Sequence, residues 1–158
     1  MAGPLPIIRR AGTADLSAVA GLRWRWSVQE NGAAPVMSRE QYDAALVAWA
    51  AEHRDSHVGF VAELDGSIVG MTWIAITPRF PTPQSAERRT ADLQSVYVVP
   101  EARGHGIGSA LVRAAIEEAV ARGASRAVVH SSDAAIELYA RHGFVSSARL
   151  RDRDLPEP

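Results

Sequence analysis

Residues 96 to 123, "VYVVPEARGHGIGSALVRAAIEEAVARG", constrain this chain most. An apolar, β-rich run is stopped by Pro100, and a helix-patterned run opens near Gly106 and closes on Gly123, a helix C-cap residue. Between them "RGHGIG", residues 103 to 108, holds three glycines in six positions. Glycine costs conformational entropy, so a turn, a close-packed neighbour or a ligand touching the backbone must require it there. Strand, tight turn and helix also leave the first helical amides without internal partners, at the positive end of the helix dipole. Two readings follow: a phosphate or pyrophosphate cradle at residues 103 to 109, or a turn needed only for strand–helix packing.

Two familiar phosphate motifs fit poorly. A P-loop requires a lysine after its last glycine, and Ser109 follows Gly108. The dinucleotide fingerprint places a third glycine where Ser109 stands, and it opens a βαβ unit rather than following a hairpin.

The rest of the chain supplies the layers. "PIIRRAGTAD" reads as a strand and turn with Thr13 as a helix cap. Leu16, Val19, Leu22 and Trp26 recur at helical spacing. Ser38 with Gln41 forms a capping-box pattern before a second helix, whose buried side carries Tyr42, Ala45, Leu46 and Trp49. Two β-rich runs flank Asp65-Gly66, a hairpin signal. "TPRFPTPQSAERRT" reads as loop, "ADLQSVYVV" and "SRAVVHSS" as strands, "DAAIELYARHG" as a helix stopped by Gly143, and "FVSSARLRD" as a last strand before the tail "LPEP". The order β-α-α-β-β-β-α-β-α-β, with a hairpin in its middle, predicts a mixed α/β sheet with helices on both faces. No repeat or linker divides the chain, so one domain over residues 1–158 is expected.

Composition narrows the function. A formal charge of −1 gives no bulk attraction for nucleic acid or a membrane surface. With no cysteine, disulfides, thiolate zinc sites and an acyl-cysteine intermediate are excluded. The N-terminus "MAGPLPIIRR" lacks a signal-peptide core and no run is long enough to cross a bilayer, so a cytoplasmic location is expected.

Arg103-x-x-Gly106-x-Gly108 resembles the acetyl-CoA signature of the GNAT superfamily of N-acetyltransferases. "IIRRAGTADLSAVAGLR" looks like that family's first strand and helix, "FVAELDGSIVGMTWI" its second and third strands, and "VYVVPEARGHGIGSALV" its fourth strand, pyrophosphate loop and third helix. "SSDAAIELYARHGF" looks like its fourth helix. The resemblance covers nearly the whole chain and implies an α/β fold with a mixed, mostly antiparallel central sheet. It also implies acetyl-CoA as cosubstrate, with no metal. The CoA pyrophosphate falls on Arg103, Gly104, His105, Gly106, Ile107, Gly108 and Ser109, the pantetheine arm along Val96, Tyr97 and Val98, and a further contact on Ser132. A bulge that splays the fourth strand from the fifth is also implied.

By the same resemblance Tyr139 is the general acid that hydrogen-bonds or protonates the departing thiolate; by periodicity alone it is a half-buried helix aromatic sharing a face with Ile136 and Ala140. Direct attack in a ternary complex is the simplest route. For the general base the candidates are Asp92, Glu63, His57 and His130, with Gln94 able only to position a water; Asp92 is preferred. The acceptor region holds Trp24, Trp26, Glu30, Met37, Tyr42, Trp49, Arg79 and Phe80. Trp26 and Trp49 read as packing, Trp24 as facing the cleft or a partner, Glu30 as attracting a cationic amine, and the loop bearing Phe80 as a mobile lid or a solvated loop, whose basic residues would instead select an acidic acceptor. A small amine and a peptide both remain open as acceptors, a homodimer is possible, and the alternative function is a non-catalytic acyl-CoA-binding module.

Overall fold

Five strands form one sheet in chain order: β1 (Ile7–Arg10), β2 (His57–Leu64), β3 (Ser67–Arg79), β4 (Arg88–Val98) and β5 (Ala124–Val129). Neighbours are antiparallel except β4 and β5, which run parallel. The computed structural model describes residues 5–157; the start of the N-terminal segment and the last residue of the tail lie outside them. Helices α1 (Leu16–Trp24) and α2 (Arg39–Glu52) cover one face, and α3 (Ile107–Ala121) and α4 (Ile136–Arg141) the other.

Strand alternation explains this division. Phe60, Ile74, Ile76, Ala91 and Leu93 point to the α3 side and pack on Leu111, Val112 and Ala115. Val61, Met71 and Tyr97 point the other way, onto Val19 and Leu22 of α1. The β2–β3 turn has positive φ at Asp65 and Gly66, as the hairpin signal requires. The capping box of α2 also forms: the Gln41 amide donates to Ser38 Oγ at 3.2 Å, and the Ser38 amide to Gln41 Oε1 at 2.8 Å.

Four expectations need correction. Gly12, not Thr13, occupies the first cap position, and its amide donates to Asp15 Oδ2 at 2.7 Å. The predicted loop after β3 is shorter, because Thr77–Arg79 pairs with Arg88–Thr90; proline in an outer strand position is compatible with a ladder. No strand forms over residues 144–152: Phe144 packs on the core, but Val145 and Leu150 lie exposed, so the segment buries too little apolar surface to dock on the open edge of β5. On α2, Ala45 is exposed and Tyr42, Leu46 and Trp49 are only half-buried, because clefts lie beneath this helix.

Candidate active site

β4 pairs with β3 along its whole length but with β5 only from Arg89 to Leu93. Opposite β3 the register jumps from Trp73↔Ser95 to Ile74↔Leu93, so Gln94 is the extra residue of a bulge. Beyond it β4 continues through Val96, Tyr97 and Val98, while β5 has ended at Val129. This half of β4 therefore has an edge with no strand partner among the described residues.

That edge leads into the glycine turn. Gly104 and Gly106 have φ of 80° and 76°, and nothing lies within 4 Å of a Cβ built on either. Only glycine adopts this conformation cheaply, and the open space above it suits a ligand that approaches the backbone. The first helical bond of α3 runs from the Ala110 amide to the Gly106 carbonyl at 3.0 Å, so the amides of Ile107, Gly108 and Ser109 precede the ladder. Gly108 differs: its missing Cβ would sit 3.6 Å from Leu138 and 3.9 Å from Val98, which is ordinary packing. His105 is exposed. The Ser109 hydroxyl is engaged with His142 Nε2 at 2.7 Å, tying α3 to the end of α4.

Arg103 is committed to order within the turn. Its Nε donates to the Val98 carbonyl at 2.9 Å, and its guanidinium lies 3.2 Å from Glu30. Glu30 also accepts from the Tyr97 hydroxyl and faces Arg25 at 3.5 Å. These partners hold its carboxyl below the ordinary range, Tyr97 most of all. Burial, then the bond to Glu30, pushes Tyr97 up to about 12, so it remains the donor. A π-helical turn over Arg25–Glu30 extends α1 to place Glu30 there. Glu30 is thus a brace between α1, β4 and the glycine turn, and it lines neither of the two clefts beside α2.

Tyr139 is 7% exposed at the end of α4 nearest Phe144. The Phe144 amide donates to the Tyr139 carbonyl at 3.1 Å and the Gly143 amide to Ala140 at 3.0 Å, a Schellman closure that stacks the Tyr139 and Phe144 rings edge to face at 5.6 Å. Burial raises the phenol above its ordinary value. Ile136 and Ala140 do not share its burial; Ile136 is 55% exposed. Ser132 opens this segment, and its side chain makes no capping bond.

The base candidates are dispersed. Glu63 is bound by Arg9 at 3.0 Å, in a network in which Asp15 holds the same guanidinium with both oxygens. His130 is exposed just beyond β5. Asp92 pairs with Ala75, which pairs with His57, so all three share the α1/α2 face. His57 is depressed by burial and then by His53, so it is neutral at pH 7. Its ring packs edge-on against Trp49 at 4.8 Å.

On that face a cleft of about 180 Å³ runs from Arg23 and Tyr42 past Trp49 and Trp73 to Gln94 and Ser95 at the bulge. A second cleft, about 250 Å³, shares Arg23 and Tyr42 and includes Trp24 and Met37. Trp24 therefore faces the cleft as expected, and Trp49 lines it too rather than serving only as packing. Trp26 packs near Val19 with the Arg23 guanidinium 4.3 Å above its ring. Phe80 is 88% exposed and Arg79 is exposed; neither lines these clefts. Sequence reasoning passed over Arg23 and Trp73. The signal available was an arginine four residues after Val19 on an apolar stripe. Among the described residues no group of three His, Asp or Glu could hold a metal ion, and no helix is long and apolar enough to cross a membrane.

Comparison with known proteins agrees with this arrangement. Residues 20–144 match the model of the acetyltransferase (GNAT) family. Mycothiol acetyltransferase of Streptomyces griseus is 34% identical over 90 residues, 55% of this chain and 27% of that protein. An uncharacterised N-acetyltransferase of Methanocaldococcus jannaschii is 36% identical over 101 residues, 58% of this chain and 40% of that one. The chain thus spans less than half the length of these two curated relatives. Among solved structures, an acetyltransferase of Clostridium acetobutylicum with acetyl-CoA superposes with a TM-score of 0.78 at 22% identity, covering 95% of this chain and 96% of that one. A Trypanosoma brucei acetyltransferase superposes at 0.74 with 26% identity, covering 95% and 99%. The family match runs from within the first helix through the bulged fourth strand, the glycine turn and the Tyr139 helix, and the chain belongs to the GNAT acetyltransferase family.

Proposed function

We propose that this protein is an acetyl-CoA-dependent N-acetyltransferase in which a primary amine attacks the thioester directly. The observation that carries this is the bulge at Gln94, which frees the edge of β4 between the glycine turn and the acceptor cleft. An extended pantetheine arm suits a free strand edge, and a pyrophosphate suits amides at a helix start whose glycines leave the approach open. Val96, Tyr97 and Val98 are proposed to align the arm, with the amide of Val96 or Val98 polarising the carbonyl. The backbone of Gly104 to Ser109 would hold the pyrophosphate, with Arg103 shaping the turn and Ser132 beside the arm.

In the reaction a C–N bond forms and the C–S bond breaks; nitrogen loses a proton and sulfur gains one. Tyr139, kept protonated by its burial, is suited to donate toward sulfur. Asp92, on the cleft face of β4 and two residues before Gln94, is the proposed proton acceptor, through a water that Gln94 can orient. Calorimetric titration with acetyl-CoA, followed by thiol release against amines and peptides, tests the proposal. Binding with release supports it. Binding with no release across the panel favours an acyl-CoA-binding module, and absence of binding removes the site assignment.

A further inference from the structure

The walls of the two acceptor clefts carry a single charged side chain, Arg23, and no carboxylate. Arg23 is half-buried, and among the described residues its guanidinium has no acidic partner, although Arg9, Arg10, Arg25, Arg39, Arg103 and Arg122 all have one. Its Nη1 is buried without a hydrogen-bond partner. So is Nε1 of Trp73, which lines the same cleft. Two buried donors without acceptors, one of them cationic, are costly unless something else satisfies them. The remaining surface is apolar and aromatic: Tyr42, Leu46, Trp49 and Met71.

Resting on the acetyltransferase assignment above, we propose that the acceptor is an amine that also carries a carboxylate, with an apolar body, as in a free amino acid. The carboxylate is held by Arg23 with Trp73 as second donor, the body lies on the aromatic wall, and the amine points to Gln94 and Ser95. A guanidinium pairs well with a flat, two-oxygen anion, and the cleft wall offers one cation, which suits a monoanion better than a phosphate dianion. The transfer converts the free amine and acetyl-CoA into an amide and the free thiol: one C–N bond forms, one C–S bond breaks, and the proton lost by nitrogen is balanced by the one gained by sulfur. This differs from a cationic-amine pocket built around Glu30, because Glu30 is already spent on Tyr97, Arg25 and Arg103.

The test uses the full-length protein and matched probes. Initial thiol-release rates are measured with L-phenylalanine, L-phenylalaninamide and 2-phenylethylamine, and with the corresponding leucine series. The carboxylates should exceed their neutral counterparts in kcat/KM by about 10-fold or more, the scale of one hydrogen bond to a charged group. Arg23→Gln should collapse that ratio toward one, and Arg23→Lys should restore part of it. Independently of turnover, calorimetry on the CoA-loaded protein compares N-acetyl-L-phenylalanine with its amide. Tighter binding of the acid, lost in Arg23→Gln, supports the inference. Equal or weaker binding of the acid overturns it, and so does an amine phosphate used as well as the carboxylates. If acetyl-CoA itself does not bind, the acetyltransferase assignment fails first, and with it this one; if acetyl-CoA binds and the acid shows no preference, only the carboxylate assignment falls.

Discussion

Tyr139→Phe separates the chemistry proposed for this fold from its architecture. The substitution keeps the ring that stacks on Phe144 at 5.6 Å and removes only the hydroxyl. Stability should therefore change by no more than about 0.5 kcal/mol. The catalytic effect follows from acidity. An ordinary phenol titrates near 10 and a thiol near 8.5, so full transfer to a departing thiolate is uphill by about 2 kcal/mol. Burial raises the Tyr139 phenol further and makes transfer harder still. Hydrogen-bond donation to developing negative charge remains, about 1.5–3 kcal/mol, which corresponds to a fall in kcat of roughly 10- to 150-fold. Acetyl-CoA affinity should stay within about twofold, because the hydroxyl acts mainly once charge develops on sulfur. The assay is steady-state thiol release beside a calorimetric Kd, with thermal melting as the folding control. A kcat within about threefold of wild type would refute the role of the hydroxyl. A loss well beyond 1000-fold, at unchanged Kd and melting temperature, would refute the hydrogen-bond account in favour of proton transfer. Because burial raises this group, the wild-type pH–rate profile should show no alkaline loss from Tyr139 below about pH 10.

Gly106→Val places a β-branched residue at φ 76°, which costs about 1–2 kcal/mol and covers the amides at the start of α3; acetyl-CoA affinity by calorimetry should fall at least about 10-fold. Gly59→Ala would drive a Cβ into the Trp73 ring, so urea melts should show a loss of about 1–3 kcal/mol, with a raised KM for the acceptor and an unchanged Kd for acetyl-CoA. Asp92→Asn should lower kcat about 100-fold with an unchanged Kd for acetyl-CoA; a kcat within about threefold of wild type would assign the base elsewhere. Glu118, buried on α3 and paired with Arg10 and with Arg122 at 2.6 Å, titrates below the ordinary carboxylate value in the folded state. Its contribution is present above the unfolded pKa near 4.3 and is lost as pH falls through the folded one, so Glu118→Gln should cost about 2 kcal/mol at pH 7 and much less at pH 3 in urea melts.

Local chemistry made most of the elements legible. The capping box at Ser38 and Gln41, the Asp65-Gly66 hairpin and the helix stops at Gly123 and Gly143 each depend on residues within a few positions of one another, and each forms. The glycine turn was legible for the same reason, since positive φ at Gly104 and Gly106 is a local demand. The last strand was not. Docking a segment on a sheet takes burial as well as a free edge: the outer edge of β5 is open among the described residues, yet within 144–152 only Phe144 is part-buried. The bulge, implied only by the family resemblance, could not be placed at Gln94 from sequence, because it is defined by the register of β4 against β3 and not by the residues of β4 alone.

Charge was the least legible property of the site, and the reason is geometric. Arg23, Arg25 and Glu30 lie within eight positions on one helix, so composition alone makes that segment a place to attract either sign. Which charge remains available depends on partners 67 to 76 residues away. Glu101 takes Arg25, and Arg103 with Tyr97 takes Glu30. The π-helical turn after Trp24 changes the angular spacing, so Glu30 swings toward β4 while Arg23, seven residues earlier in the regular part of α1, stays over the cleft. A regular α-helix would set residues seven apart on nearly the same heading. The backbone widening at Arg25–Glu30 thus leaves Arg23 as the charge on the cleft wall, and the carboxylate preference proposed for the acceptor rests on a helix irregularity that no residue count reveals.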